Sequence, residues 1–122
     1  MKKPLKIAFD LDGTLTLDKN KGWSDEQCLN ARPNLPMVNL VNKAWRDGHL
    51  IIIYTARRWS RREATVYWLQ KNDIKYHTIE MQKLNFDLLI DDKALNAKDL
   101  QTINRSPFVI LLIIGFINRI LS

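Results

Sequence analysis

Short apolar runs that each stop at a polar residue constrain the fold of this chain more than any other feature. Leu5 to Phe9 ends at Asp10, Leu50 to Tyr54 at Thr55, and Phe86 to Ile90 at Asp91 and Asp92. Leu5 to Phe9 reads as a buried strand, and Leu50 to Tyr54, apolar on consecutive residues, as one covered on both faces. Between the first two, Met37, Leu40, Val41, Ala44 and Trp45 recur at helical spacing before Gly48, a natural helix stop. Ser60 followed by Glu63 has the form of a capping box, opening a helix through Ala64, Tyr67, Trp68 and Lys71 that ends near Asn72. Tyr76 to Ile79 reads as a short third strand and Phe86 to Ile90 as a fourth. Asn96 caps a last helix through Leu100 and Ile103, and Phe108 to Ile114 is a fifth apolar run. Strands alternating with helices predict an α/β fold with one open parallel sheet flanked by helices.

The 122 residues fit one compact domain spanning 1–122, and a 46% apolar share is enough for a real core. A single cysteine, Cys28, excludes an internal disulfide framework and fits a reducing compartment, so a cytoplasmic location is expected. Asp10 and Asp12 interrupt the apolar run after the basic N-terminus, and no secretory signal is expected. Residues 16–34 are polar and irregular, with Pro33 and Pro36 closing the stretch. They read as a loop or small flap, too short to be a cap domain. Phe108 to Ile117 is apolar without a break, short of the roughly 20 residues a spanning helix needs. A buried strand is the first reading of this segment, and a membrane or partner contact through residues 107–121 is the alternative.

In a parallel sheet the strand C-termini share one edge, and ligands bind there. The polar ends Asp10-Leu11-Asp12-Gly13-Thr14, Thr55-Ala56-Arg57 and Asp91-Asp92-Lys93 therefore meet in one place. Polar turns after strands are common, but they do not account for four aspartates at two ends. Carboxylates crowded together repel and raise one another's pKa unless a cation is present. A hard cation such as Mg²⁺ uses one or two carboxylates plus waters and substrate phosphate. His49, His77 and Cys28 stand at no zinc-ligand spacing, and both histidines read as structural or surface residues.

These residues carry a resemblance. Ile7-Ala8-Phe9-Asp10-Leu11-Asp12-Gly13-Thr14-Leu15 is similar to the first motif of the haloacid dehalogenase-like (HAD) phosphohydrolase superfamily. Ile51 to Thr55 resembles the second, Lys83 the third and Asp91-Asp92 the fourth, in the right order. The Thr-Ala-Arg and Asp-Asp-Lys forms are those of a small subgroup without a cap, often found beside surface-polysaccharide genes. Where that subgroup carries Gly-Lys-Pro, this chain has Gln82-Lys83-Leu84. The resemblance implies a Rossmann-like HAD fold and a Mg²⁺-dependent phosphatase. Asp10 is then the nucleophile that forms an aspartyl phosphate, and Asp12 the acid and base at the leaving oxygen. Thr55 and Lys83 steady the phosphoryl group, while Gly13 and Thr14 offer it donors, Gly13 through free backbone N–H groups. The ion is held by Asp10, the Asp12 carbonyl and Asp91, with Asp92 as ligand or outer partner.

The substrate is read in three ways. The first is a small phosphorylated metabolite, such as a sugar phosphate of polysaccharide biosynthesis. The alternative is a nucleic-acid 3′-phosphate, since an open site admits large substrates. The third is a non-catalytic or membrane-associated module, against which Asp10, Asp12 and Lys83 argue. A formal charge of +6 favours anionic partners. Arg57, Arg58, Arg61 and Arg62 surround Trp59, and charge with stacking suits a nucleic-acid strand. Arg57 and Arg58 are expected to touch substrate, and Arg61 and Arg62 to act at longer range. The plain alternative is a solvated helix start.

Overall fold

The computed structural model describes residues 4–19, 23–84 and 87–97. The chain divides into two compact units, Lys6–Asn85 and a second made of Met1–Leu5 with Phe86–Ser122. The larger unit is built on three parallel strands in the order β1-β2-β3, namely β1 (Lys6–Asp10), β2 (Leu50–Tyr54) and β3 (Thr78–Glu80). Asp10 pairs with Tyr54, and Tyr54 with Glu80, so the three strands end side by side. Every loop that follows a strand in this unit leaves from that one rim. The open parallel α/β sheet expected from the sequence is therefore present.

Among the described residues three α-helices accompany the sheet: α1 (Asp25–Leu29), α2 (Leu35–Arg46) and α3 (Arg62–Lys71). Pro36 sits in the first turn of α2, where a missing N–H costs nothing. Gly48, at φ +92°, ends that helix in the left-handed conformation, and His49 N–H returns to Ala44 O at 3.1 Å. Met37, Val38 and Val41 of α2 are buried with Phe9, Ile51 and Ile53 of the sheet. The opposite face is not closed as the consecutive apolar residues had implied. Ala8, Leu50, Tyr54 and Thr78 are exposed, so β1 and β2 bury one face more deeply than the other.

Two local expectations give way to hydrogen bonding. A short 3₁₀ turn, Trp59–Arg61, postpones α3, so Glu63 falls at the second helical position and Ser60 caps nothing. A capping box occurs instead at Ser24 and Gln27, opening α1 inside the stretch expected to be irregular. That stretch is closed at its neck. Leu17 N–H donates to Arg32 O and Asn34 N–H to Leu15 O, both at 2.8 Å. The Asp18 carboxylate accepts the Arg32 backbone N–H at 2.8 Å and its guanidinium at 2.8 and 3.1 Å. These bonds hold the Asp18 carboxyl below the ordinary carboxylate range.

In the smaller unit, the run expected as a fourth strand makes none over residues 87–90. Leu88 and Ile90 are 76% and 90% exposed there. An apolar run becomes a strand only where a ladder takes up its backbone groups. Here the chain turns instead, with Asp91 Oδ1 accepting Lys93 N–H at 2.8 Å. The expected last helix beyond Ala97 and the segment 107–121 with its fifth run lie outside the described residues. No helix among the described residues is long and apolar enough to cross a membrane.

Trp68 links α3 to the returning end of the flap: it is buried, and its Nε1 donates to Ala31 O at 2.8 Å. Trp68→Phe removes that donor and leaves the carbonyl unpaired. The variant is expected to lose about 1–3 kcal/mol of stability, read as a lower urea midpoint at unchanged m-value.

Candidate active site

Asp10 closes β1 and is followed by a tight reversal. Asp12 at φ −77°, ψ 124° and Gly13 at φ +77°, ψ 3° have the dihedrals of a type II turn, whose third position favours glycine. The turn lets Asp10 and Asp12 project near one another from consecutive bends of the chain. Thr16, fully buried, braces it: its hydroxyl accepts Gly13 N–H at 3.1 Å and donates to Asp18 O at 2.8 Å. The Gly13 N–H, expected to be free for phosphate oxygens, is thus occupied within the turn. Nothing in the sequence pattern marked Thr16 for this role.

Lys83 reaches Asp10 from the far side of the sheet edge, with Nζ 2.8 Å from Oδ1. The same ammonium lies 5.2 Å from the centre of the exposed Tyr54 ring. Asp10 Oδ2 accepts the Thr14 hydroxyl at a longer 3.3 Å. One carboxylate oxygen is therefore held by a cation and the other only weakly engaged.

Asp12 is held differently. Arg57 Nη2 donates to its Oδ1 at 2.6 Å, and Nε lies 3.0 Å from Oδ2 and 3.2 Å from Oδ1. The guanidinium also donates to Thr65 Oγ1 at 2.9 Å and stacks 4.4 Å from the centre of the Trp23 ring. Its side chain is 0% exposed. Arg57 therefore stands behind Asp12, not at the mouth of the site where a substrate contact was expected. A buried guanidinium needs a full set of partners, and Asp12, Thr65 and Trp23 supply it. Burial raises the Asp12 pKa, and this outweighs the hydrogen bonds and charge of Arg57, which lower it. Asp10 adds a smaller upward push. Desolvation is thus the main cause, rather than the neighbouring carboxylate that the sequence suggested.

Thr55 is also fully buried, and its hydroxyl accepts Arg57 N–H at 3.1 Å. Beyond the strand ends, the loops after β2 and β3 are stitched together. Thr55 N–H donates to Glu80 O at 2.9 Å, Lys83 N–H to Thr55 O at 3.1 Å and Gln82 N–H to Arg57 O at 2.9 Å. Gln82 Oε1 accepts Trp59 N–H at 3.0 Å. Gln82 has φ +59°, the left-handed conformation that glycine favours. Glutamine thus keeps a backbone suited to glycine, and Lys83 is still aimed at Asp10.

The arginine cluster divides. Arg57 is internal, while Arg61 donates to Trp23 O at 2.6 Å and pairs with Asp25 at 3.3 Å, fastening the flap to the start of α3. Arg58 and Arg62 are exposed beside an exposed Trp59. Arg61 is thus spent locally, and the long-range attraction expected of the pair falls to Arg62. One histidine has a structural part. His77 extends the β2 ladder, its N–H donating to Ile51 O and its Nδ1 accepting Ile51 N–H, both at 2.9 Å.

The oxygen donors of this edge suit Mg²⁺. Asp10 Oδ2 is only weakly engaged, and this ion completes its shell with water and substrate phosphate. Among the described residues no three His, Cys, Asp or Glu side chains gather. Asp91 and Asp92, the further ligands expected, are exposed residues of the smaller unit.

The stitched loops make a stability test. Gln82→Gly exchanges backbone strain for a lost hydrogen bond and is expected to stay within about 1 kcal/mol of wild type. Gln82→Val puts a β-branched residue at positive φ and should cost about 2 kcal/mol in urea unfolding.

The family model described as the polynucleotide kinase PNKP phosphatase domain, of the HAD class, matches residues 4–108. No curated protein matches the chain. A crystal structure from Vibrio cholerae superposes with a TM-score of 0.65 at 25% identity, covering 79% of this chain and 86% of that one. A structure of the Pnkp1/Rnl/Hen1 complex gives 0.57 at 27% identity, covering 73% of this chain and 31% of that chain. A Pnkp1/Rnl/Hen1 RNA repair complex, 22% identical, shares the fold with a TM-score of 0.57 over 83% of this chain and 30% of that chain. This chain spans about a third of each of those two. The match over 4–108 makes it a member of the HAD phosphatase family typified by the polynucleotide kinase phosphatase domain.

Proposed function

We propose that this phosphatase removes a terminal phosphate from a nucleic-acid end, a 3′-phosphate being the first choice, by way of an aspartyl phosphate on Asp10. The observation that carries the reading is the match to a nucleic-acid end-processing phosphatase family over 4–108. Exposed Arg58, Trp59 and Arg62 near the sheet edge support it, because a strand bound by its phosphates and bases needs cations and an aromatic face. The sugar-phosphate reading draws on neither observation.

In this account Asp10 attacks phosphorus, with Lys83 on Oδ1 holding the carboxylate in line. Asp12, its pKa raised by burial, gives a proton to the leaving oxygen and later takes one from water. Arg57 fixes the direction in which that proton moves. Thr55 and Thr14 offer hydroxyls to the phosphoryl group, replacing their present partners when substrate arrives. Asp10 and the Asp12 carbonyl would hold Mg²⁺. When bound, the ion neutralises phosphoryl charge.

A substrate panel tests the reading. With Mg²⁺ present, kcat/KM for a 3′-phosphorylated oligonucleotide should exceed that for sugar phosphates at least roughly tenfold, and Arg58→Gln with Arg62→Gln should flatten its salt dependence. Equal or greater activity on sugar phosphates would return the metabolite reading to first place.

A further inference from the structure

Lys19 has no part in the fold or the chemistry described so far, yet its stem lies across the most constrained point of the site. A Cβ built on Gly13 would fall 2.5 Å from Lys19 Cε, 2.8 Å from Cγ and 3.2 Å from Cδ. The stem therefore occupies the space that a side chain at position 13 would fill; the exposed stem can give way, so it is the positive φ that calls for glycine there. The residue before Lys19 is anchored: Asp18 binds Arg32 through three hydrogen bonds, and its carbonyl accepts the Thr16 hydroxyl. The backbone that delivers Lys19 is thus tied to the neck of the flap. Lys19 is exposed, and no hydrogen bond or ion pair among the described residues engages its ammonium. Among the described residues, the cations that pair with the two aspartates are committed, Lys83 to Asp10 and Arg57 to Asp12.

We infer that Lys19 is a specificity residue that binds the phosphodiester next to the terminal phosphate of the substrate. The inference rests on the nucleic-acid reading above and deepens it. Asp12 serves the leaving oxygen in that reading, and Gly13 is the next residue, so a group laid across Gly13 sits on the leaving-group side. The leaving group is the 3′-oxygen of the terminal nucleoside, whose nearest other charge is the phosphodiester on its 5′ side. An ammonium on a flexible stem suits such a contact as a point charge without fixed geometry. A mononucleotide lacks that charge and gains nothing from Lys19.

The test compares a 3′-phosphorylated dinucleotide, the same molecule with a neutral methylphosphonate linkage, and a nucleoside 3′-monophosphate. Wild type should favour the charged dinucleotide over the other two by roughly tenfold in kcat/KM, mainly through KM, the size of one charge-assisted contact. Lys19→Met keeps the stem over Gly13 and should remove that preference, whereas Lys19→Arg should retain it. Two results with Lys19→Met overturn the inference: a preference that survives, or an equal loss on all three substrates, which would put Lys19 on the reacting phosphoryl group. Hydrolysis of all three by wild type without preference overturns it too, but leaves the parent reading standing. Failure to hydrolyse any 3′-phosphate overturns both.

Discussion

The site depends on a guanidinium that solvent does not reach. Arg57 is enclosed by the bidentate pair with Asp12, the Thr65 hydroxyl and the Trp23 ring. Those three come from the turn after β1, from α3 and from the flap, so one side chain joins three separate elements of the site. Isolated buried charges cost several kcal/mol, and removing one member of such a pair costs on the order of 3–5 kcal/mol. The pair is thus a structural commitment before it is a catalytic one. In the proposed mechanism its consequence is a carboxyl turned toward one partner on one side and held where burial raises its pKa.

A second constraint comes from the sheet edge. With Asp10, Tyr54 and Glu80 in register, the loops after β2 and β3 run on side by side and exchange backbone hydrogen bonds past the last ladder residue. That continuation sets the height of Lys83 above Asp10. Gln82 shows how firmly the backbone is specified: an L-residue takes a left-handed conformation there, and its side chain recovers a hydrogen bond from Trp59 N–H. Strain of about 1 kcal/mol is tolerated because both neighbouring loops fix the position.

Much of this was legible in the residues. The strands ending at Asp10 and Tyr54 follow from short apolar runs, and α2 from the spacing of Met37 and Val41 with Gly48 behind it. The order Asp-x-Asp-Gly-Thr pointed to phosphoryl chemistry and to the superfamily. What was missed depends on tertiary packing. The four clustered arginines look alike on paper, yet one is internal, one is spent on the flap and two face water. The difference is made by Asp12, Asp25, Thr65 and Trp23, which are distant in sequence. The capping box at Ser60 failed because a 3₁₀ turn shifted the helix start, and hydrogen-bond geometry at a turn is not carried by composition. The run at 86–90 was apolar enough for a strand, but pairing, not hydropathy, makes one.

The central claim is that Arg57 acts through Asp12, orienting the acid instead of gripping the substrate. Arg57→Lys keeps the charge but loses the bidentate geometry, so the leaving group decides the outcome. Single-turnover transfer of the phosphoryl group from a 3′-phosphorylated oligonucleotide, whose alkoxide must be protonated, should slow by about a hundredfold or more. Nitrophenolate leaves without a proton, and its pre-steady-state burst from nitrophenyl phosphate should slow by less than about fivefold, the later water step being common to both substrates. Equal losses on the two substrates, or a loss confined to KM for the oligonucleotide, would contradict the account and place Arg57 on the substrate.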